Sequence, residues 1–260
     1  MGSQMMQEKL WGQRPNDWAE IQEVTSRSCY EYVLDFLKLS PGLKLLDVGC
    51  GSGYFCQLAS DSGADITGMD GTGPFIEVAK KRTPSVKFLT GEMEELPFGD
   101  ESFDVVTGFN SFQYAANVKN ALTEARRVLK DKGKLVAMIW GNKEDCEATS
   151  YLKAIGSMLP PPPPGAPGPF ALTENQALEN LLRETGFNII HQTDLATIWD
   201  YPDIETALKG LLSAGPAARA IEHSGFDKVY ETVSAAAQPY IQKNGHVVYQ
   251  NKFRIVISEK

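Results

Sequence analysis

Three glycines alternate with other residues at the end of an apolar run in residues 45–53, which read Leu-Leu-Asp-Val-Gly-Cys-Gly-Ser-Gly. Because Gly49, Gly51 and Gly53 carry no side chain, the backbone of this turn can approach a ligand closely. A helix is predicted to begin near Tyr54, and its free N–H groups would face the same ligand. The stretch therefore predicts a strand, a loop and a helix that bind a cofactor through the backbone.

The spacing of the glycines narrows the choice of cofactor. A dinucleotide-binding loop of the G-x-G-x-x-G type needs glycine at position 54, where this chain has Tyr54. A G-x-x-x-x-G-K-S/T phosphate loop is also excluded, because no lysine follows Gly53. The loop therefore disfavours NAD and FAD, and with them a nicotinamide oxidoreductase.

Acidic and polar residues follow the next three predicted strands. Asp70 lies 17 residues after Gly53, at the end of the second strand, where a carboxylate can accept both hydroxyls of an adenosine ribose. Glu92 ends the third strand and can accept a hydrogen bond from an adenine amino group, with Met93 beside it as an apolar contact for the ring. Asn110 follows the fourth strand. All of these residues lie at carboxyl ends of strands, which is the edge where open α/β sheets bind ligands.

The elements that position these residues alternate along the chain. Helical spacing over 7–40 precedes a series of seven predicted strands at 44–48, 64–69, 86–89, 103–108, 135–140, 187–191 and 247–257. Helices are predicted from residue 54 and over 71–82, 117–129 and 173–185, and a helical insertion over 202–244. This alternation predicts right-handed βαβ units and a doubly wound, mostly parallel sheet. The last strand has no helix after it, so we expect it to pair antiparallel at or near the sheet edge.

Several motifs together resemble one enzyme family. Asp47-Val-Gly-Cys-Gly-Ser-Gly, Asp70 and the Gly-Glu-Met-Glu-Glu-Leu-Pro-Phe motif at 91–98 are similar to class I S-adenosylmethionine-dependent methyltransferases. Ser-Phe-Asp-Val-Val at 102–106 and Glu-Ala-Arg-Arg-Val-Leu-Lys at 124–130 extend the match, which spans about residues 42 to 141. The chain most resembles the small-molecule, type 11 branch akin to ubiquinone-pathway enzymes. The resemblance implies a Rossmann-like fold, S-adenosylmethionine as cofactor and methyl transfer as the activity.

The resemblance also implies roles for individual residues. Gly49 and Gly51 would contact the methionine part of the cofactor through the backbone, and Asn110 would offer backbone near its amino group. Asp70 would hold the ribose, and Glu92 with Met93 would hold the adenine. The whole predicted cofactor site comprises Trp18, Asp47, Gly49, Cys50, Gly51, Asp70, Gly71, Glu92, Met93 and Asn110.

Two positions depart from the family pattern. Glu92 stands where the family often has aspartate, so its adenine contact would be longer or mediated by water. Asp131-Lys132-Gly133 replaces a common Pro-Gly-Gly, a change that concerns the turn.

The helical segments that lie outside the regular series of strands and helices are predicted to form a cap over the cofactor. We divide the chain into an N-terminal helical cap segment (1–40), a Rossmann-like cofactor-binding domain (41–201 with 245–260) and a helical cap insertion (202–244). The proline run 160–164 favours a stiff, extended path. A lid beside the active site and a surface linker are equally good interpretations of it.

Composition and motifs bear on the methyl acceptor. The formal net charge of −8 disfavours a nucleic-acid partner, which needs clustered lysine and arginine. After strand four the chain reads Asn-Ser-Phe-Gln, without the Asn-Pro-Pro-Tyr type of motif of DNA amino-methyltransferases. We therefore expect methyl transfer to an O, N or C atom of a small organic molecule with apolar or aromatic character. Aromatic residues available to line its pocket are Trp11, Trp18, Tyr30, Phe112, Tyr114, Trp199 and Tyr201.

The catalytic machinery is left largely unassigned by the sequence. An acceptor such as a phenol needs a general base, and His223 in the helical insertion is the candidate, set against its interpretation as a surface histidine. No metal-ligand spacing is present. A cofactor-binding protein without turnover, in a regulatory or accessory role, is the alternative function.

Bulk properties predict a cytoplasmic protein without a membrane segment. The four cysteines show no disulfide or zinc pattern, and no apolar run reaches about 18 residues. The oligomeric state is left open.

Overall fold

The structure is a computed structural model that describes residues 2–161 and 168–260. Most of the proline run 160–164 lies outside the described residues, so the choice between a lid and a linker stays open. Between these limits the chain forms a seven-stranded sheet with helices on both faces.

The strand order of the sheet is β3-β2-β1-β4-β5-β7-β6. The strands are β1 (Lys44–Val48), β2 (Asp65–Asp70), β3 (Lys87–Thr90), β4 (Phe103–Phe109), β5 (Leu129–Trp140), β6 (Asn188–Tyr201) and β7 (Val247–Glu259). The pairings among β1 to β5 are parallel, and β7 pairs antiparallel with both β5 and β6. This confirms the predicted doubly wound, mostly parallel sheet with an antiparallel last strand, which lies one strand in from the edge.

Eleven α-helices are present in the described residues. They are α1 (Gln4–Trp11), α2 (Pro15–Asp17), α3 (Arg27–Leu37), α4 (Tyr54–Ser60), α5 (Gly73–Arg82), α6 (Val118–Val128), α7 (Thr149–Ser157), α8 (Ala177–Glu184), α9 (Ile204–Leu211), α10 (Gly215–Ser224) and α11 (Phe226–Ala237). A π-helical turn, Trp18–Gln22, and a 3₁₀ turn, Glu23–Ser26, connect α2 to α3. Among the helices of the described chain, none is both long and apolar enough to cross a membrane.

The two faces of the sheet carry separate hydrophobic cores. Leu45 and Leu46 are neighbours on β1 and are fully buried, yet they belong to different cores, as the alternation of side chains along a strand requires. One core includes residues of α3, α4, α5, α7 and α11, and the other includes residues of α6 and α8. Both faces of the parallel strands are thus covered, which explains their continuous apolar sequence.

Two strands extend well beyond the predicted bounds. β6 continues to Tyr201 instead of ending at residue 191, because it pairs with β7 along its whole length. β5 begins at Leu129, before the Lys132 and Gly133 turn that was predicted to separate it from α6. Both extensions depend on a partner strand, which the local sequence does not reveal.

The helices outside the regular series occupy the predicted cap segments. α1 to α3 lie within residues 1–40, and α9 to α11 fill the stretch between β6 and β7. The helix α7 was not predicted, although Tyr151, Ala154 and Ile155 are buried at helical spacing. The division into three segments itself stays a prediction.

Candidate active site

A cavity of about 480 Å³ lies at the carboxyl ends of the parallel strands. Its walls come from the loops after β1 to β4, from the segment between residues 3 and 30, and from parts of α7 and α10. All ten residues predicted for the cofactor site line it, namely Trp18, Asp47, Gly49, Cys50, Gly51, Asp70, Gly71, Glu92, Met93 and Asn110. The structure therefore brings together residues that are spread over the 93 residues from Trp18 to Asn110.

The glycine loop has no room for side chains. Gly49 and Gly51 have φ angles of +75° and +55°, a region that favours glycine. A Cβ atom on Gly49 would lie 2.3 Å from the Cβ of Ser111, and one on Gly51 would lie 2.7 Å from Oε1 of Glu23. The N–H groups of Gly49 and Cys50 both donate to the carbonyl of Met69, at 2.7 and 3.0 Å, which fixes the loop against β2.

Asp70 connects the loop to the second strand. Its Oδ2 accepts the N–H of Gly51 at 2.9 Å, and its Oδ1 accepts the N–H of Thr72 at 2.8 Å. Burial raises the pKa of this carboxyl above its ordinary value, while the two backbone hydrogen bonds oppose that rise. Each oxygen keeps a further lone pair, so the carboxylate can still accept hydroxyl groups from a ligand in the cavity.

Asp47 lies deeper, at the end of β1. Its Oδ1 accepts the hydroxyl of Thr107 at 2.7 Å, and the thiol of Cys56 lies 3.7 Å from its Oδ2. Burial raises the pKa of Asp47 to about 7. A cationic ligand above it would favour the ionised form.

Glu92 is in contact with the N-terminal segment. Its Oε2 accepts the N–H of Gln4 at 2.8 Å, and its Oε1 accepts the N–H of Glu94 at 3.1 Å. A carboxylate has about four acceptor positions, so the adenine contact predicted for Glu92 remains open. The same side chain thus fixes the start of the chain at the rim of the cavity.

Unpaired polar atoms point to a polar ligand. Buried side-chain atoms without a hydrogen-bond partner in the described part of the chain include Trp18 Nε1, Asn110 Oδ1, Gln113 Oε1 and Trp199 Nε1, all on residues that line the cavity. Buried polar groups are normally paired, because leaving one unpaired costs about 1–3 kcal/mol. Together with the glycine cradle, these donors and acceptors fit the carboxylate, ammonium and hydroxyl groups of S-adenosylmethionine.

One network in the site was missed by the sequence analysis. Oε1 of Glu23 accepts the N–H of Ser52 at 2.9 Å, and Oε2 accepts the hydroxyl of Ser52 and the guanidinium of Arg82, the latter at 2.6 Å. Arg82 also donates to the carbonyl of Ala19 at 2.7 Å. The exposed fractions of the Glu23 and Arg82 side chains are only 4% and 16%. No short-range motif signals this network, because its members are 29 to 63 residues apart.

Aromatic side chains form much of the cavity wall. Of the aromatic residues predicted to line a pocket, Trp11, Trp18, Tyr30, Tyr114 and Trp199 do so. Phe112 and Tyr201 are fully buried instead and are not among the lining residues. Trp140, Tyr151 and Phe253 line the cavity as well, although the sequence did not single them out.

His223, the candidate general base, is exposed on α10 and does not line the cavity. His191 lies with its Nε2 2.7 Å from the hydroxyl of Tyr32, and His246 lies with its Nδ1 2.6 Å from Asp200. Each histidine therefore lies apart from the residues that line the described cavity, and none of them is placed to take a proton from a bound acceptor.

Comparison with known proteins agrees with the fold and the cavity. A family model described as a methyltransferase domain matches residues 46–137. A malonyl-[acyl-carrier protein] O-methyltransferase of Erwinia pyrifoliae is 30% identical over 200 residues, which are 77% of this chain and 71% of that protein. This match extends well beyond the motif region.

Two further comparisons cover different shares of the chain. A demethylmenaquinone methyltransferase of Renibacterium salmoninarum is 38% identical over 104 residues, which are 40% of this chain and 44% of that protein. The chain thus aligns with less than half of that relative. The solved structure of a geranyl diphosphate C-methyltransferase from Streptomyces coelicolor, in complex with S-adenosyl-L-homocysteine, has a TM-score of 0.54 and 15% identity, and covers 90% of this chain and 79% of that one; it shows the shared fold. With the family model, the long match and the glycine loop, the chain belongs to the class I S-adenosylmethionine-dependent methyltransferases of the small-molecule type.

Proposed function

We propose that this protein transfers the methyl group of S-adenosylmethionine to a small organic molecule with apolar or aromatic character. The observation that carries the proposal is a single cavity that joins the glycine loop to a chamber lined by Trp140, Tyr151, Trp199 and Phe253. One ligand can lie on the loop while another lies against the aromatic walls. The cavity has a volume of about 480 Å³, which is within the usual range for small-molecule sites.

The cofactor half of the cavity is built from backbone and carboxylates. The backbone at Gly49 and Gly51 would hold the methionine part, Asp70 the ribose, and Glu92 with Met93 the adenine. Trp18 Nε1 is a donor for the methionine carboxylate, and Asn110 Oδ1 is an acceptor for its ammonium group. When bound, S-adenosylmethionine supplies an electrophilic methyl group on a sulfonium.

The protein's own contribution is alignment and exclusion of water. Methyl transfer is an in-line displacement, so the acceptor atom must be held close to the methyl carbon and opposite to the sulfur. The aromatic walls restrict the acceptor's position, and the helices around the cavity mouth keep water from the reacting atoms. Neither task requires a covalent intermediate with the protein.

A relative named for demethylmenaquinone supports a small acceptor, whereas the relative named for malonyl-[acyl-carrier protein] has an acyl group that is carried on a protein. For this chain we propose a small molecule and not a nucleic acid, in line with the net charge of −8. The four cysteines are free and buried, which agrees with the reducing, cytoplasmic setting that we propose.

The direct test is methyl transfer from S-adenosylmethionine labelled in its methyl group. The protein is incubated with a small-molecule extract, and labelled products are separated from the unused cofactor. We expect labelled small molecules and one S-adenosylhomocysteine formed per methyl transferred. Cofactor binding without any labelled product would contradict turnover and favour the regulatory or accessory alternative.

A further inference from the structure

The helix α1 forms part of the cavity wall beside the predicted adenine site. Gln4, Gln7 and Trp11 line the cavity, and they lie on one face of α1 because residues three and four apart share a helix face. Gln4 also packs on the segment after β2, since a Cβ atom on Gly71 would lie 3.4 Å from the Cγ of Gln4. Its backbone N–H is bonded to Glu92, which follows β3. The start of α1 therefore lies against the ends of two strands that carry predicted cofactor residues.

The carboxylate of Glu92 bonds α1 to the end of β3. Its Oε2 accepts the N–H of Gln4, the first residue of α1, at 2.8 Å, and its Oε1 accepts the N–H of Glu94 at 3.1 Å. An anion at the start of a helix also interacts favourably with the helix dipole. These bonds use two of about four acceptor positions, so the same carboxylate can accept the amino group of an adenine. Glu92 can therefore hold the helix and the cofactor at once.

Few other interactions hold α1 in place among the described residues. The helix has eight residues and no side-chain cap at its start, and helices this short are marginal in water unless packing supports them. Leu10 is its only buried residue. Its further polar contacts with other elements are the bond from Gln7 to the carbonyl of Tyr114, at 3.1 Å, and the exposed ion pair of Lys9 with Glu222. The position of α1 is therefore sensitive to a single added interaction.

We infer that Glu92 is a positioning residue that latches α1 over the bound cofactor, so that cofactor binding and closure of α1 are coupled. This rests on the proposed function. An adenine amino group bonded to Glu92 holds the carboxylate in the position that also accepts the N–H of Gln4. The cofactor therefore binds more tightly when α1 is bonded to Glu92 than when α1 is released, and by linkage a closed α1 raises the affinity for the cofactor. Departure of S-adenosylhomocysteine then requires release of α1, a step that can limit turnover.

The first test uses the unaltered protein and two ligands that differ at one group. S-adenosylhomocysteine carries the 6-amino group, whereas S-inosylhomocysteine carries an oxygen there and cannot donate from that position. Amide hydrogen exchange of residues 4–11 is measured without ligand and with each ligand at saturation. We expect S-adenosylhomocysteine to slow exchange in α1 at least tenfold, and the inosine compound to slow it less than threefold. Equal protection of α1 by the two ligands would overturn the coupling through Glu92.

A matched pair of variants tests Glu92 itself. Glu92→Gln keeps the length of the side chain but replaces one acceptor oxygen by a donor, so it cannot accept from Gln4, Glu94 and the adenine together. With S-adenosylhomocysteine at saturation, protection of α1 should fall below threefold. Glu95→Gln makes the same change at an exposed residue that does not line the cavity, and tenfold protection should remain. Full protection of α1 in Glu92→Gln would contradict the latch.

A change in α1 tests the coupling from the other side, with Glu92 intact. Leu10→Ala removes the buried side chain of α1 and should speed hydrogen exchange in the helix. Linkage then requires weaker binding, and we expect the Kd for S-adenosylhomocysteine to rise at least threefold by calorimetry. In the Glu92→Gln background the same change should raise the Kd less than twofold. An unchanged Kd beside faster exchange in α1, or equal rises in both backgrounds, would overturn the inference.

The measurements on the unaltered protein distinguish failure of the latch from failure of the proposed function. Binding of S-adenosylhomocysteine without any protection of α1 would overturn the latch and leave the cofactor site standing. Absence of S-adenosylhomocysteine binding in the same calorimeter would instead contradict the proposed function itself.

Discussion

Gly49 shows most directly how a single residue shapes the site. It combines a φ of +75° with a backbone that approaches Ser111, whose side chain in turn donates to the carbonyl of Val48 at 2.7 Å. A side chain at this position would have to displace the strand-four loop. The loop sequence therefore reflects two local constraints, backbone conformation and close approach.

The Gly49→Ala substitution should lower the free energy of unfolding by about 1–3 kcal/mol and abolish measurable cofactor binding, because the new methyl group collides with Ser111. Denaturant unfolding and calorimetry with S-adenosylhomocysteine measure both effects. Gly99→Ala is the matched control, since its nearest neighbour would lie 3.7 Å away. Normal cofactor binding by Gly49→Ala would contradict the close approach described for this loop.

Asp70→Ala should weaken S-adenosylhomocysteine binding by roughly 10-fold or more, because it removes one or two hydrogen bonds to a charged group, at about 1.5–3 kcal/mol each. Part of the loss would come from the freed N–H groups of Gly51 and Thr72. Asp65→Ala, at the exposed opposite end of the same strand, is the control and should bind normally. If the two variants bound S-adenosylhomocysteine equally well, Asp70 would not be part of the cofactor site.

The buried carboxyl of Asp47 should make stability depend on pH. Its pKa rises from 3.8 to about 7 on folding, so between these values the folded chain holds a proton that the unfolded chain has released. The free energy of unfolding therefore falls as pH rises from about 4 to about 7. Urea unfolding of the cofactor-free protein at about pH 5 and pH 8 should show this loss.

Asp47→Asn serves as the comparison, because an amide keeps an acceptor for Thr107 and cannot titrate. We expect the variant to lose clearly less stability over the same pH interval. Glu23 and Asp70 have pKa values raised in the same direction, so some dependence should remain. An identical loss in both proteins would show that Asp47 does not contribute.

At the scale of elements, the segment before α3 is fastened to the cofactor loop. Glu23 contacts Ser52 in the loop and Arg82 at the end of α5, and Arg82 in turn holds the π-helical turn through Ala19. The π-helical turn also carries Trp18, whose Nε1 would lie 3.4 Å from a Cβ on Gly51. Loop and N-terminal helices thus form one packed unit.

Glu23→Ala should cost about 3–5 kcal/mol of folding free energy, because it leaves the guanidinium of Arg82 buried without its anion. It should also raise the Kd for S-adenosylhomocysteine. The control is Glu77→Ala on α5, the helix that carries Arg82. It removes the exposed ion pair between Glu77 and Lys80, whose charged atoms are 3.1 Å apart, and should cost about 0–1 kcal/mol of folding free energy. Similar costs for the two variants, by urea unfolding, would refute the role of this network.

The difference between local and long-range signals explains what the sequence could predict. The glycine loop, Asp70 and Glu92 were predictable because each lies next to a strand end, and parallel strands bring their ends to one edge. Glu23 was not, because its partners lie 29 and 59 residues away. The extension of β6 was not predictable either, because it depends on pairing with β7. His223 has a side chain that can act as a base, but α10 exposes it to solvent, and the local sequence does not reveal this orientation.

Across the whole molecule, the cavity joins two chemical environments. Carboxylates and backbone N–H groups surround the glycine loop, and aromatic rings, among them Trp140 and Trp199, line the same cavity. Helices from the start of the chain and from the stretch between β6 and β7 complete the walls, so residues far apart in sequence share one site. In this arrangement, the residues that contact the acceptor can differ between methyltransferases of the same fold while the cofactor loop stays the same.

A crystal structure of the protein with S-adenosylhomocysteine tests this arrangement most directly. We predict that the ribose hydroxyls lie on Asp70, that the adenine lies at Glu92 and Met93, and that the sulfur faces the chamber of Trp140, Tyr151 and Trp199. A ligand bound elsewhere, or a sulfur turned away from that chamber, would contradict the proposal that cofactor and acceptor meet in this cavity.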